Sequence, residues 1–200
     1  RGTFALKGSL VSGDISPNYA MADAREIDAA VRECPDARYV LMLRHPVRRL
    51  WSALCMRVRK SQLSAADLAD PSRVAAIVAR PEHTERSYPT RIWDKWSAAV
   101  KGDGIRYWFL EDVARDPVRI RDEIMAFAGL RGAAVRIPPD YNRKKGQWHA
   151  DMRAEVRLHL YERFADEIRR AAELFGGQAA AWRDELDAVL GTSGTDRRRS

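Results

Sequence analysis

A chain of 200 residues with 46% hydrophobic content can bury one full core, which predicts a single domain over residues 1–190 and a basic, disordered tail over 191–200. Its formal charge of +7 and pI near 9.7 come from arginine far more than from lysine, and arginine's planar fork points to an anionic partner. The longest strongly apolar run, 39–43, is far below the ~20 residues of a membrane-spanning helix, and no signal-peptide pattern opens the chain. A cytoplasmic, reducing setting is expected, with Cys34 and Cys55 as buried free thiols on helical apolar stripes.

Residues 3–11 alternate and include β-branched side chains, which predicts a strand ended by Gly13, Asp14 and Pro17. Over 23–34, Ile27, Ala30, Val31 and Cys34 recur at i, i+3, i+4 and i+7, a helix that Pro35 stops. Residues 38–43 are apolar and too few for a helix, so they read as a buried strand of a parallel sheet. A helix follows at once, with His45 as its cap, Pro46 in its first turn and an apolar stripe of Val47, Leu50, Trp51, Leu54, Cys55 and Val58. Two short helical pieces are expected between 61 and 81, the second opened by Asp70 and Pro71, then a loop over 81–89. Ile92, Trp93, Trp96 and Val100 mark another helix, broken by Gly102 and Gly104. Residues 105–110 give a second buried strand, followed by a helix capped at Asp116 and ended by Gly129. Met152, Val156, Leu160, Phe164, Ile168 and Phe175 trace a long helix terminated by Gly176 and Gly177, and 181–190 make the last one. Strands alternating with helices imply an α/β fold with a parallel sheet flanked by helices. Ligands then bind beyond the carboxyl ends of the strands, after Val11, Leu43 and Leu110.

The segment LMLRHPVRRLWSAL, 41–54, carries the clearest chemistry. It puts Arg44 at the carboxyl end of a strand and Ser52 on the next helix, about 130° from the centre of the apolar stripe, on one ridge with Arg48, Cys55 and Arg59. A guanidinium, a hydroxyl and a helix amino end together make a phosphate grip.

Leu-Arg-x-Pro-Val-x-Arg-x-Trp-Ser in this segment resembles the 3′-phosphate-binding segment of bacterial and glycan-modifying sulfotransferases. GDISPNY (13–19) upstream is similar to their Gly-acidic-x-Ser/Thr-Pro-x-Tyr motif, and the strand IRYWFL with EDVARDP and FAGL (127–130) to a later series in the same order. NRKKGQW (142–148) matches the last region more loosely. The resemblance implies a P-loop-NTPase-like fold. The cofactor would be 3′-phosphoadenosine 5′-phosphosulfate (PAPS), leaving as adenosine 3′,5′-bisphosphate. Arg44 and Ser52 would hold the 3′-phosphate, and Arg143, Lys144 and Lys145 would close over the nucleotide. The acceptor would be a glycan or hydroxylated metabolite.

One departure stands out. The family's first strand and Lys-x-Gly-Thr/Ser loop, which hold the 5′-phosphosulfate, find no counterpart here. Lys7-Gly8 is followed by Ser9 and then Leu10, and Lys101-Gly102 by Asp103, so neither gives the two consecutive hydroxyl residues that the loop requires. The expected fold therefore lacks that strand and loop, and this chain alone is expected not to catalyse. Asp14 is the candidate catalytic carboxylate. Tyr19, Tyr88 and Trp148 are candidates to stack on adenine or sugar, and no role is assigned to His149. Dispersed histidines predict no metal. Two other readings stay open, a binding domain of the same fold without catalysis and a basic nucleic-acid module. Trp51, Trp93 and Trp96 fall on apolar stripes, which favours a core over a stacking platform, so no nucleic acid is expected.

Overall fold

The computed structural model describes residues 11–130 and 149–196. The predicted strand over 3–11 lies outside them except for Val11, which is not in a strand, and so do the basic loop Arg143, Lys144 and Lys145 and Trp148. The described residues fall into two compact units, 11–43 with 91–130, and 44–90 with 149–196.

The first unit opens with a 3-10 turn, Pro17–Met21, whose start is held by Ser16 accepting from the Asn18 N–H. Helix α1, Ala24–Glu33, begins at a capping box in which Asp23 and Glu26 each accept the other's backbone N–H at 2.9 Å. Its one fully buried side chain is Ile27. Strand β1, Tyr39–Leu43, pairs in parallel with β2, Ile105–Phe109, in the register Tyr39↔Ile105 to Leu43↔Phe109. Between them runs α6, Pro89–Ala99. Ile27, Ile92, Trp96, Val100 and Ile105 form the core on one face of this pair, with Tyr39 and Leu41 packed against it. Gly102, at φ +63°, supplies the left-handed turn into β2, where a side chain would be strained. Two helices follow β2 directly, α7 over Leu110–Arg115 and α8 over Pro117–Phe127. Asp116 caps α8 by accepting from Arg119 N–H at 3.0 Å, and Trp108, Ile120 and Phe127 make a smaller core.

The second unit is helical. Helix α2, Pro46–Arg59, buries Val47, Leu50, Trp51, Leu54 and Cys55 on one face, each large side chain contributing roughly 1.5–3 kcal/mol of transfer free energy. It ends in a Schellman motif, with Gln62 N–H on Arg57 O and Ser61 N–H on Val58 O, both at 2.9 Å. Ser61 takes the left-handed position at φ 55°. Three short helices come next, α3 (Ala65–Ala69), α4 (Pro71–Val78) and α5 (Pro81–Thr84). The long α9, Ala154–Phe175, turns at Gly176 and Gly177 into α10, Gly177–Asp196. The turn suits glycine because both residues have positive φ. Glu167 of α9 is buried, and it accepts from the Thr90 backbone N–H at 2.7 Å and from the Thr90 hydroxyl at 2.9 Å. No helix among the described residues is long and apolar enough to cross a membrane.

The architecture is helix-dominated with a small parallel sheet, two-stranded among the described residues. Several expectations need correction. The strands are not buried throughout: Val40 and Met42 of β1 are 36% and 44% exposed, and Arg106 of β2 is exposed, whereas Trp108 on the same face as Arg106 is covered by Ile120 and Phe127. Cys34 is exposed, since it stands at the C-cap of α1 past the last turn that faces the core, whereas Cys55 is buried; both are free. Residues 81–89 are α5 and a 3-10 turn, Glu85–Ser87, instead of a loop. Helix α7 starts at the last residue assigned to the second strand, and α10 is longer at both ends than 181–190.

Candidate anion-binding site at the start of helix α2

Pro46 cannot donate a backbone hydrogen bond and has φ pre-set for a helix, so it starts α2 with only Arg44 and His45 between it and the end of β1. His45 takes the N-cap, and its Nδ1 accepts from Val47 N–H at 3.2 Å. That bond requires a lone pair on Nδ1, which places the neutral ring's proton on Nε2. The ring is fully buried and packs against Tyr161 and Trp182, with centroids 5.4 and 5.6 Å away. Burial holds its pKa down to about 4; Glu185 opposes this, while Arg48, Arg157 and Arg44 add to it. A neutral cap therefore persists at pH 7, and it fixes the backbone of Arg44 beside the positive end of the helix.

Arg44 is half-buried there, with Arg49 half-buried and Arg86 exposed. Arg49 has its pKa lowered to about 10, first by burial and then by the charges of Arg86 and Arg44. Arg49 therefore stands in a positive local field at the start of α2, which favours an anion there. The neighbouring Arg48 is already committed: its Nη2 meets Glu185 Oε2 at 2.5 Å. Glu185 also accepts from Tyr161 OH at 2.5 Å and pairs with Arg157 at 3.2 Å. Ser52 lies half-buried on α2 one turn beyond both Arg48 and Arg49, at the i+4 and i+3 spacings that make helical residues neighbours.

Arg44, Ser52 and their helix thus lie in one unit. Sequence reasoning passed over Arg49 and Arg86. Arg49 stands in the motif itself as its second arginine, a readable signal, whereas Arg86 is distant in the chain and carries none. Asp14 belongs to the first unit, where it is exposed and accepts a hydrogen bond from Tyr19 OH. This bond is the main reason the Tyr19 pKa is raised. The GDISPNY turn is fastened from α6: Trp96 Nε1 donates to Tyr19 O at 3.2 Å, and Lys95 Nζ to Ala20 O and Ala22 O at 3.3 and 2.9 Å. Tyr88 is half-buried against Phe164, with centroids 5.2 Å apart, and His149 is exposed. Trp51 and Trp96 are buried, and Trp51 Nε1 donates to Ala150 O at 2.8 Å.

The crystal structure of a sulfotransferase from Alicyclobacillus acidocaldarius superposes on this chain with a TM-score of 0.63 at 23% identity, covering 83% of this chain and 65% of that one. The fold is sulfotransferase-like. The chain spans just under two thirds of that protein's length. No protein-family model matches the sequence. No curated protein matches it either.

Proposed function

We propose that this chain belongs to a PAPS-dependent sulfotransferase and that the amino end of α2 takes the cofactor's 3′-phosphate. The observation that carries the reading is the placing of half-buried Arg44 and Arg49 beside the capped amino end of α2, where the charges of Arg86 and Arg44 add to burial in lowering the Arg49 pKa. A phosphate fits that donor set: it would accept charge-assisted bonds from Arg44 and Arg49, a hydroxyl bond from Ser52 and the field of the helix. When bound, the cofactor supplies an activated sulfuryl group for transfer to a hydroxyl or amine acceptor, which we take to be a glycan or small metabolite. Arg44 and Arg49 bind and neutralise, Ser52 orients, and His45 keeps the loop in place without exchanging a proton. Arg143, Lys144 and Lys145 are proposed to close over the nucleotide. Asp14 is the candidate carboxylate for the acceptor proton, with Tyr19 holding its orientation. These 200 residues contain no Lys-x-Gly-Thr/Ser stretch for the 5′-phosphosulfate, so on their own they bind nucleotide and do not turn over. Several preorganised donors would be missing, and one such donor is worth roughly 3–4 kcal/mol of barrier.

Calorimetry tests the reading. Adenosine 3′,5′-bisphosphate should bind much more tightly than adenosine 5′-monophosphate, and Arg44→Ala should erase the difference. Equal binding of the two nucleotides would refute the assignment.

A further inference from the structure

At the other end of α2, a pocket of about 200 Å³ is lined by Arg57, Leu63, Arg73, Ile77, Arg80 and His83. Three guanidiniums and an imidazole meet there from α2, α4 and the start of α5. Arg73 is partly compensated, its Nε lying 3.2 Å from Asp67 Oδ1. Arg57 is not: its Nη1 is buried and has no hydrogen-bond acceptor among the described residues. A buried donor of this kind is costly unless something outside the protein accepts from it. The volume is below the ~300 Å³ at which pockets for whole small molecules begin, so it suits a single ionic group better than a nucleotide. Arg57 is eleven residues beyond Pro46, about 16 Å further along the helix axis at ~1.5 Å per residue, so this is not the phosphate grip described above.

We infer that this pocket is a second anion site, taking the tetrahedral oxyanion of a sulfate or phosphate ester. A tetrahedral group offers acceptors in several directions, which matches donors converging from three elements, and Leu63 and Ile77 restrict water around it. The inference does not depend on the reaction proposed for the chain.

His83 reports on the pocket. Its pKa is lowered by burial first, then by Arg57 and Arg80, with Glu82 opposing, and Arg73 with its partner Asp67 makes up the rest of the local charge. An anion beside Arg57 must therefore raise it. The experiment follows the imidazole signals of His83 by NMR across pH, in the 200-residue chain, with inorganic sulfate, inorganic phosphate or chloride at matched ionic strength. Sulfate and phosphate should raise the His83 pKa and chloride should not; the more effective of the two names the ester. Arg57→Gln should start from a higher value, because a depressing charge is gone, and should bind the anion at least about tenfold more weakly. Arg80→Gln, at an exposed position, carries the same expectation should Arg57→Gln fail to fold. Arg44→Ala should keep the full response. An equal rise with chloride, a full response in both pocket variants, or a response lost with Arg44→Ala would overturn the assignment.

Discussion

Arg86 lies near enough to Arg49 for its charge to add to burial in holding the Arg49 guanidinium down to about 10, with Arg44 pressing the same way. Like charges held together in a fold oppose stability and favour an anionic ligand. Arg49→Met should therefore leave the ligand-free melting temperature unchanged or higher, while bisphosphate binding weakens by on the order of 1.5–3 kcal/mol. Thermal melts with and without the bisphosphate check both halves. A variant that melts lower without ligand yet binds normally would show Arg49 to be structural.

His45 should make the protein acid-sensitive. The folded ring has its pKa depressed to about 4, whereas the unfolded ring protonates below about 6.5. The unfolded state therefore takes up the proton first, and stability falls as pH drops from about 6.5 toward 4. At about 1.36 kcal/mol per unit, the loss is on the order of 3 kcal/mol. His45→Asn keeps a side-chain acceptor for Val47 N–H and removes the titration. Urea melts at pH 7 and pH 5 should show a much smaller drop for the variant.

Ser61 holds a left-handed conformation at the end of α2, where a side chain costs roughly 1–2 kcal/mol. Ser61→Gly relieves this but gains unfolded-state entropy, so the net expected is a stabilisation of about 0.5–1 kcal/mol. The midpoint of denaturant unfolding should rise with an unchanged slope; a fall would mean that the serine side chain contributes something the glycine cannot.

Glu167 is 7% exposed and takes both donors of Thr90. Glu167→Ala leaves two donors without their acceptor at the start of α6, and should destabilise by about 2–4 kcal/mol, the range for losing charge-assisted bonds in a buried setting. Thr90→Ser, which preserves both bonds, should cost under about 1 kcal/mol. Chemical denaturation of the two variants compares them directly.

The strand-to-helix step at 41–54 was readable because three independent signals coincide there: an apolar run too short for a helix, Pro46 at a first turn, and a stripe at helical spacing. The parallel pairing of β1 and β2 followed from the helices between them. What escaped was long-range. Glu185 holds Arg48 from 137 residues away and Glu167 seats Thr90 from 77, and nothing local in a sequence marks such pairs. Helix α7 escaped for a different reason: Leu110 continues the apolar run of β2, so periodicity could not separate strand end from helix start. The exposure of Cys34 was missed because an apolar spacing extends past the residue at which the helix itself stops.

The grip of Lys95 and Trp96 on the GDISPNY turn is made on carbonyl oxygens of Tyr19, Ala20 and Ala22, not on their side chains. A clamp that reads main chain is indifferent to which residues occupy the turn, provided the carbonyls stay where they are. Met21 can accordingly be varied while the turn remains anchored, whereas Tyr19 is tied by its hydroxyl to Asp14 and is not open to the same change.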